Sequence, residues 1–352
     1  MQIALLALAC IFIIATLLPL LKHEAWWIRI FDFPRAQIAA GGALTIAFYS
    51  LLYKERGLGD NLILLVLLAC VAYQVSRMFP YTRYARKQVL GSRENDPDRK
   101  ISIFVSNIYR KNRDYERFLK LVRDKNPDVI CILEPDEWWD RMLSPLDGEY
   151  PYSARHHCNE GYGMIFYTRL KPSGMKVDYL VEDYVPSVFA VLELRSGDPV
   201  EFYCLHPNPP NPKYSTDTAE RDAELLIVGK RVRESKKPSL VAGDLNDVAW
   251  SHTTLLFLKI SGMLDPRIGR GFFNTFHVKW PFLRFPLDHI FVTEHFRYVA
   301  LETLPDIGSD HFPIYAELSY EPERKEAQVN NKYEPDAGDS KEARQKIEEA
   351  GE

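Results

Sequence analysis

The stretch KISIFVSNIYRKNRDYERFLKLVRDKNPDVICILE, residues 100–134, decides the fold. Ile101 to Ser106 is rich in β-branched and aromatic residues and predicts a strand. Asp114 to Lys125 puts Phe118, Leu119 and Val122 on one helical face. Asn126-Pro127 breaks that helix. Val129 to Leu133 is a short apolar run suited to a buried strand, and it ends at Glu134. Strand, helix and strand in this order form the unit of an α/β fold.

Downstream, the spacing predicts strands at Gly163–Tyr167, Val188–Leu194, Glu201–Leu205, Ser239–Ala242, Asp288–Val292 and Ile314–Leu318. Helices are expected over Thr218–Arg233, amphipathic through Leu225, Leu226 and Val232, and over Thr253–Ile260. No segment of 20–50 residues repeats, which argues against a solenoid.

Upstream the composition changes. Ile3 to Leu21 holds 19 residues without a charge. At 1.5 Å per residue it spans about 28 Å, close to a bilayer core of roughly 30 Å. Its Met-Gln start lacks the basic region of a signal peptide, so a retained helix is expected. Ile38–Tyr53 and Leu62–Tyr73 are shorter apolar runs. Residues 1–80 are therefore expected to form a membrane region of about three transmembrane helices, embedded in the lipid bilayer of the cell inner membrane. The segment from Lys22 to Gln37 mixes Trp26, Trp27, Phe31 and Phe33 with Arg29 and Arg35, which suits either a headgroup-level segment or a plain loop. More Lys and Arg flank the side that carries the C-terminal domain, and the positive-inside rule would put that domain in the cytoplasm.

Residues 81–99 are expected to be a polar linker. Residues 321–352 hold ten acidic and six basic residues, a net charge of −4 that equals the whole-chain value. That tail is expected to be disordered, with a short helix near Lys341–Glu349. The rest is near neutral, so a nucleic-acid binder relying on an overall basic field is not indicated. The five cysteines form no C-x-x-C pair and read as buried, reduced thiols.

Polar residues recur at the ends of the apolar runs. Asn107, Glu134, His206, Asp244 and Asp310-His311 follow such runs, and Asp288 opens one. In a layered α/β protein these ends gather at one rim, where a site can form. The motifs SNIYRKN (106–112), PDVICILE (127–134), CLHPNPP (204–210), GDLN (243–246), LDHIF (287–291) and GSDHFP (308–313) resemble those of the endonuclease/exonuclease/phosphatase superfamily over about residues 100–320. The resemblance implies a two-sheet α/β sandwich, deoxyribonuclease I-like, and a metal-dependent phosphoesterase that uses Mg²⁺, with Mn²⁺ as a second option. This sequence departs from the pattern at Leu133, where Gln is usual, and at Tyr109, where nucleases often carry a carboxylate. Its N-terminal region resembles bacterial membrane-bound members, some acting on lipid-linked pyrophosphate outside the cytoplasm. That opposes the charge count, and the side the domain faces stays open.

Phosphate-ester hydrolysis needs a cation, a base for water, and donors for the developing oxyanion. The resemblance implies Glu134 as metal ligand, with Asn107 and Asp310 completing the metal shell. His311 would act as base or phosphate-polarising group, its ring oriented by Asp288. Asp244 would align water, Asn246 would donate to the phosphate, and His206 would donate to the scissile phosphate or leaving group. Arg221 is a further candidate for phosphate binding, and Glu160 a candidate partner for His206. The expected substrate is a phosphodiester, phosphomonoester or pyrophosphate, either a lipid phosphate or a nucleic acid, with no protein partner. The alternative is a non-catalytic membrane adaptor that keeps the fold.

Overall fold

The computed structural model describes residues 2–158, 161–209 and 217–351. The chain opens with α1 (Gln2–Leu17), which a 3₁₀ turn prolongs to Leu21, followed by α2 (Trp26–Arg29), α3 (Arg35–Leu52) and α4 (Leu58–Met78). Gln2–Leu21 and Leu58–Tyr81 are long and apolar enough to cross a membrane. α3 falls short of that measure, because Arg35 and Gln37 occupy its first turn and Gly41-Gly42 its middle. The glycines have a packing reason. Gly41 lies under the Phe12 ring and Gly42 against Val71 and Leu67, so α3 can approach both neighbours closely. A polar thread closes the bundle at the end nearest the α/β domain. Arg35 pairs with Asp32 and donates to Gln74 at 2.8 Å, and Gln74 donates to Thr16 at 3.0 Å. Arg29 and Arg35 are therefore internal structural cations rather than members of a solvated flank.

The domain is built from two sheets. β1 (Lys100–Asn107) runs parallel to β2 (Val129–Leu133), with α5 (Tyr115–Lys125) as the crossover. α6 (Glu137–Met142), β3 (Tyr152–His156) and β4 (Met164–Thr168) follow, then β5 (Pro172–Asp178), β6 (Ser187–Glu193) and β7 (Pro199–Leu205). α7 (Ala219–Ser235) crosses over to β8 (Ser239–Asp244), parallel to β7. α8 (His252–Ser261), β9 (Asp288–Val292), β10 (Phe296–Thr303) and β11 (Ile314–Tyr320) complete the sandwich. The sheet orders are β10-β11-β1-β2-β4-β3 and β5-β6-β7-β8-β9. Alternate residues of the central strands, such as Ile103, Cys131, Phe202 and Ala242, meet between the sheets in one core. The other faces take the helices: Phe104 and Ile130 pack on Phe118 of α5, and Tyr203 and Val241 on Leu225 and Phe257 of α7 and α8.

The strands without an expectation, β3, β5 and β10, all lie at sheet edges. Edge strands bury less, and β5 in particular has an exposed face and a proline start, so its apolar signal is weak. Two expectations are corrected. The linker 81–99 lies on the domain: Tyr81 and Val89 are buried, and the Tyr81 hydroxyl donates to the Ala249 carbonyl. The tail is ordered. Gln328 binds the Leu90, Glu294 and Phe296 backbones, and α10 (Ala337–Glu349), after the short α9 (Glu326–Val329), docks on α7 and α8. Ala343 and Ile347 pack on Leu226, Leu256 and Ile260, while Lys346 reaches Asp222 at 3.0 Å and pairs with Glu24. Composition marks the tail as polar, yet its charges fall at helical spacing opposite partners distant in sequence.

Lys346 is 5% exposed and Asp222 fully buried. Lys346→Glu turns an ion pair into like charges, and breaking such a buried pair costs about 3 kcal/mol. The variant is expected to lower the melting temperature and to open residues 322–349 to limited proteolysis. An unchanged melting point with full protection would mean that the tail contributes nothing.

Candidate active site

The carboxyl ends of the parallel pairs β1/β2 and β7/β8 supply Asn107, Glu134, His206 and Asp244, while the antiparallel β9 and β11 start at the same rim. Asp244 lies directly opposite Asp288 in the β8/β9 register, so their side chains share a face. The backbone turns sharply here. Tyr109, Glu134 and Asn246 all adopt left-handed conformations, with φ of 53°, 63° and 50°. Such conformations cluster where a rigid frame overrides local preference, often at functional sites. Gly243 at φ 149° and Gly163 meet the backbone carbonyls of Leu205 and Pro135, leaving no room for a Cβ at either turn.

His311 is the hub. Its Nδ1 lies 2.9 Å from Asp288 Oδ2 and its Nε2 3.5 Å from Asp244 Oδ2. All three residues are buried. A chain of amide bonds extends the group. Asn107 Nδ2 donates to Asp244 Oδ2 at 3.1 Å and to Glu134 Oε1 at 2.9 Å, while its Oδ1 accepts from the Tyr109 amide. Asn246 N donates to the other oxygen of Asp244, and one Asn246 side-chain N–H goes to the Pro207 carbonyl. Ser309 ties two strands together: its Oγ donates to the Asn107 carbonyl at 2.7 Å and accepts from the His311 amide.

Burial alone would disfavour a charged His311. The carboxylates of Asp244 and Asp288, with the hydrogen bond that His311 donates to Asp288, outweigh it and hold the imidazolium up to about 10. Burial pushes Glu134 and Asp244 up from the usual carboxylate range, and His311 opposes that for both. Burial lowers His206, partly offset by Asp244, which favours the neutral ring, and among the described residues its buried Nδ1 has no hydrogen-bond partner. The site thus pairs one cationic imidazole with one neutral imidazole.

Asp310, half-buried beside His311, adds negative potential on both His311 and Glu134. Arg221 is corrected. Its guanidinium is buried behind the rim, binds Asp222, and donates to the Asn246 carbonyl at 2.9 Å. It supports the turn of Asn246. The adjacent carboxylate of Asp222 absorbs the charge that the sequence offers as free. Glu160 and the prolines at 210 and 212 lie outside the described residues.

Residues outside the expected catalytic and metal-binding set also shape the site. Ser309 is one. The Phe276 ring sits 4.9 Å from the His311 ring. His289 is a neutral wedge between the Asp247 carbonyl and Arg267, itself bound to Asp265. Ser309 adjoins His311 in the GSDH motif, and that adjacency is its only sequence signal.

The ligand atoms of Asp244, Asp288 and His311 lie within 4.8 Å of one another, close enough to share a divalent ion. With both ring nitrogens facing carboxylates, however, His311 acts as a proton-bearing cation, and the oxygens are the available donors. Glu134 and Asp244, both raised by burial and held to one amide, form an acid-rich oxygen set. A hard divalent cation such as Mg²⁺ fits that chemistry.

The sequence profile of the Endonuclease/Exonuclease/phosphatase family matches residues 105–311. A curated relative, the UPF0294 protein of Vibrio campbellii (strain ATCC BAA-1116), is 22% identical over 229 residues, covering 62% of this chain and 77% of its own. The human Nocturnin catalytic domain with bound sulfate superposes with a TM-score of 0.52 at 16% identity, covering 68% of this chain and 98% of that one. D. rerio TDP2 complexed with single strand DNA product gives 0.50 at 19% identity, over 62% and 99%. At such identities the structural likeness is one of fold. The profile match takes in more than half the chain and spans every residue at this rim, and the chain belongs to the endonuclease/exonuclease/phosphatase family of metal-dependent phosphoesterases.

Proposed function

We propose that this protein is a membrane-anchored hydrolase of phosphate esters or anhydrides that uses a divalent cation and activated water. The observation that carries the reading is the buried imidazolium of His311 between Asp244 and Asp288, beside the acid pair Glu134 and Asp244. Glu134, Asn107 and Asp310 would hold Mg²⁺ or Mn²⁺, with Asp244 at the edge of the same oxygen set. That ion, when bound, would neutralise phosphoryl charge.

The chain's own residues supply the rest. The water oxygen bonds to phosphorus as the P–O bond to the leaving group breaks, and the proton lost by water is balanced by one taken up by the leaving oxygen. Asp244 is positioned to align that water. His311, kept protonated, offers a fixed positive charge to the phosphoryl oxygens, which costs no reorganisation during the reaction. The second Asn246 side-chain N–H, unbonded among the described residues, would donate to the phosphate. His206, neutral and buried, donates one hydrogen bond rather than a full charge.

Anchoring is supported by the outward faces of α1 and α4, where Ile11, Ile14, Leu62, Leu65 and Leu68 are exposed. An apolar surface of that extent suits lipid better than water. The polar bundle end and the loop between α1 and α3 both contact the domain, through the bond from Trp250 to the Asp32 carbonyl. An odd number of spans, with α3 as the return, satisfies that arrangement.

Purified full-length protein is expected to hydrolyse a phosphate ester with Mg²⁺ and to stop with chelator. Asp244→Asn and His311→Ala should each lower kcat by about 10³-fold. Metal-independent turnover, or turnover untouched by both variants, would contradict the mechanism, and no turnover with any phosphate ester would favour the adaptor. In the metal-free protein, NMR of the His311 ring should report an imidazolium that persists to about pH 10. Its folded value is raised, so its contribution to stability is full below the ordinary range near 6.5 and lost as pH rises through about 10. Asp288→Asn should move the ring's titration downward; an unmoved titration would show that Asp288 is not its partner.

A further inference from the structure

An apolar groove runs into the catalytic rim. It encloses about 450 Å³, and His311 and Asn246 close one end. The remaining wall is aromatic, aliphatic or proline, with Trp26, Ile30 and Phe33 on one side and Phe276, Leu283 and Phe285 on the other. Among the described residues no carboxylate, lysine or arginine lines it.

The walls are held in place. The Phe33 and Phe285 rings meet edge to face at 5.6 Å. Trp250 donates to the Asp32 carbonyl at 2.8 Å, and Gln37 donates to the Phe282 carbonyl. Met78, at the end of α4, packs in the same cluster as Phe33, Trp250 and Phe285. The groove is therefore built at the junction of the apolar helices and the domain, neither of which forms it alone.

Its surroundings say what fills it. Trp27 and Ile30, beside Trp26 in the chain, are about half exposed, as is Leu283, and Trp280 and Phe282 are 61% and 87% exposed. Tryptophan and phenylalanine left bare beside two apolar spans suit the interface of a bilayer. A nucleic acid presents repeating phosphates and calls for cations along its path, and no lysine or arginine lines the groove among the described residues. An amphiphile presents one phosphate and one hydrocarbon chain, which matches a groove that is polar at one end only.

We propose that the site takes a phosphate-bearing membrane lipid, its hydrocarbon chain lying between the 26–34 segment and the 276–287 loop and its phosphate beside His311 and Asn246. This rests on the phosphoesterase reading of that rim and names its substrate class. α2 and the residues around it are then part of the substrate site rather than a passive tether.

The test uses the full chain in nanodiscs and hexadecyl phosphate carrying a terminal diazirine. Photolysis is expected to label residues 26–34 and 276–287. Unlabelled hexadecyl phosphate should compete at least on the order of 100-fold better than butyl phosphate, because each buried methylene adds about 0.8 kcal/mol. Leu283→Glu and Ile30→Glu, each checked for an unchanged melting temperature, should cut the labelling tenfold or more. Labels confined to the outward faces of α1 and α4, equal competition by butyl phosphate, or displacement by a DNA oligonucleotide of about twelve nucleotides would each overturn the proposal. Hydrolysis read in parallel separates the two claims. Lipid capture without turnover of any ester keeps the groove assignment and removes the hydrolase reading. Turnover indifferent to chain length keeps the hydrolase and removes the lipid.

Discussion

A buried imidazolium between two buried carboxylates is the constraint around which this domain is arranged. Taking His311, Asp244 and Asp288 out of water is costly unless each charge finds its complement. The complement exists because β8 and β9 lie in a register that sets the two aspartates side by side, and because the segment before β11 brings His311 to them. A slip of one residue in β8/β9 would turn an aspartate to the other face and leave a buried charge alone. The sheet order, the glycine at 243 and the Ser309 bridge to Asn107 can all be understood as fixing that register.

The helical region extends the same logic. Its polar thread of Arg35, Asp32, Gln74 and Thr16 sits at the end that touches the domain, where buried polar groups must satisfy one another. That thread orients the 26–34 segment, and Trp250 reads its backbone. The domain, the apolar helices and the ordered tail are consequently one packed unit. α10 bonds Glu24 and Lys22 at the base of α1 while lying on α7 and α8.

Much of this was legible in the sequence, for reasons that can be named. β1, α5 and β2 announce themselves because central strands bury both faces and the crossover helix buries one, so pattern and burial coincide. The residues at the strand ends could be picked out because chemistry-bearing side chains there interrupt apolar runs. Edge strands β3, β5 and β10 were not legible, since most of their side chains are only partly buried or exposed and give no continuous apolar run. Arg221 misled because a cation near a phosphate motif reads as a ligand until Asp222 and Asp247 are seen beside it. The tail misled for the opposite reason: its charges read as solvated, and their partners, Asp222, Lys22 and His252, lie far away in sequence. Ser309 acts through a backbone carbonyl 202 residues distant, which no local pattern encodes.

The claim that matters most is that the acid-rich oxygen set beside His311 exists to hold a divalent cation. Electron paramagnetic resonance of Mn²⁺ added to the purified, metal-free protein tests it directly. The account predicts a bound ion that keeps several waters, as sparse oxygen sites do, displaced by Mg²⁺ and lost in Glu134→Gln while the fold is retained. Absence of bound Mn²⁺ in the folded protein, or binding that Glu134→Gln leaves untouched, would contradict it.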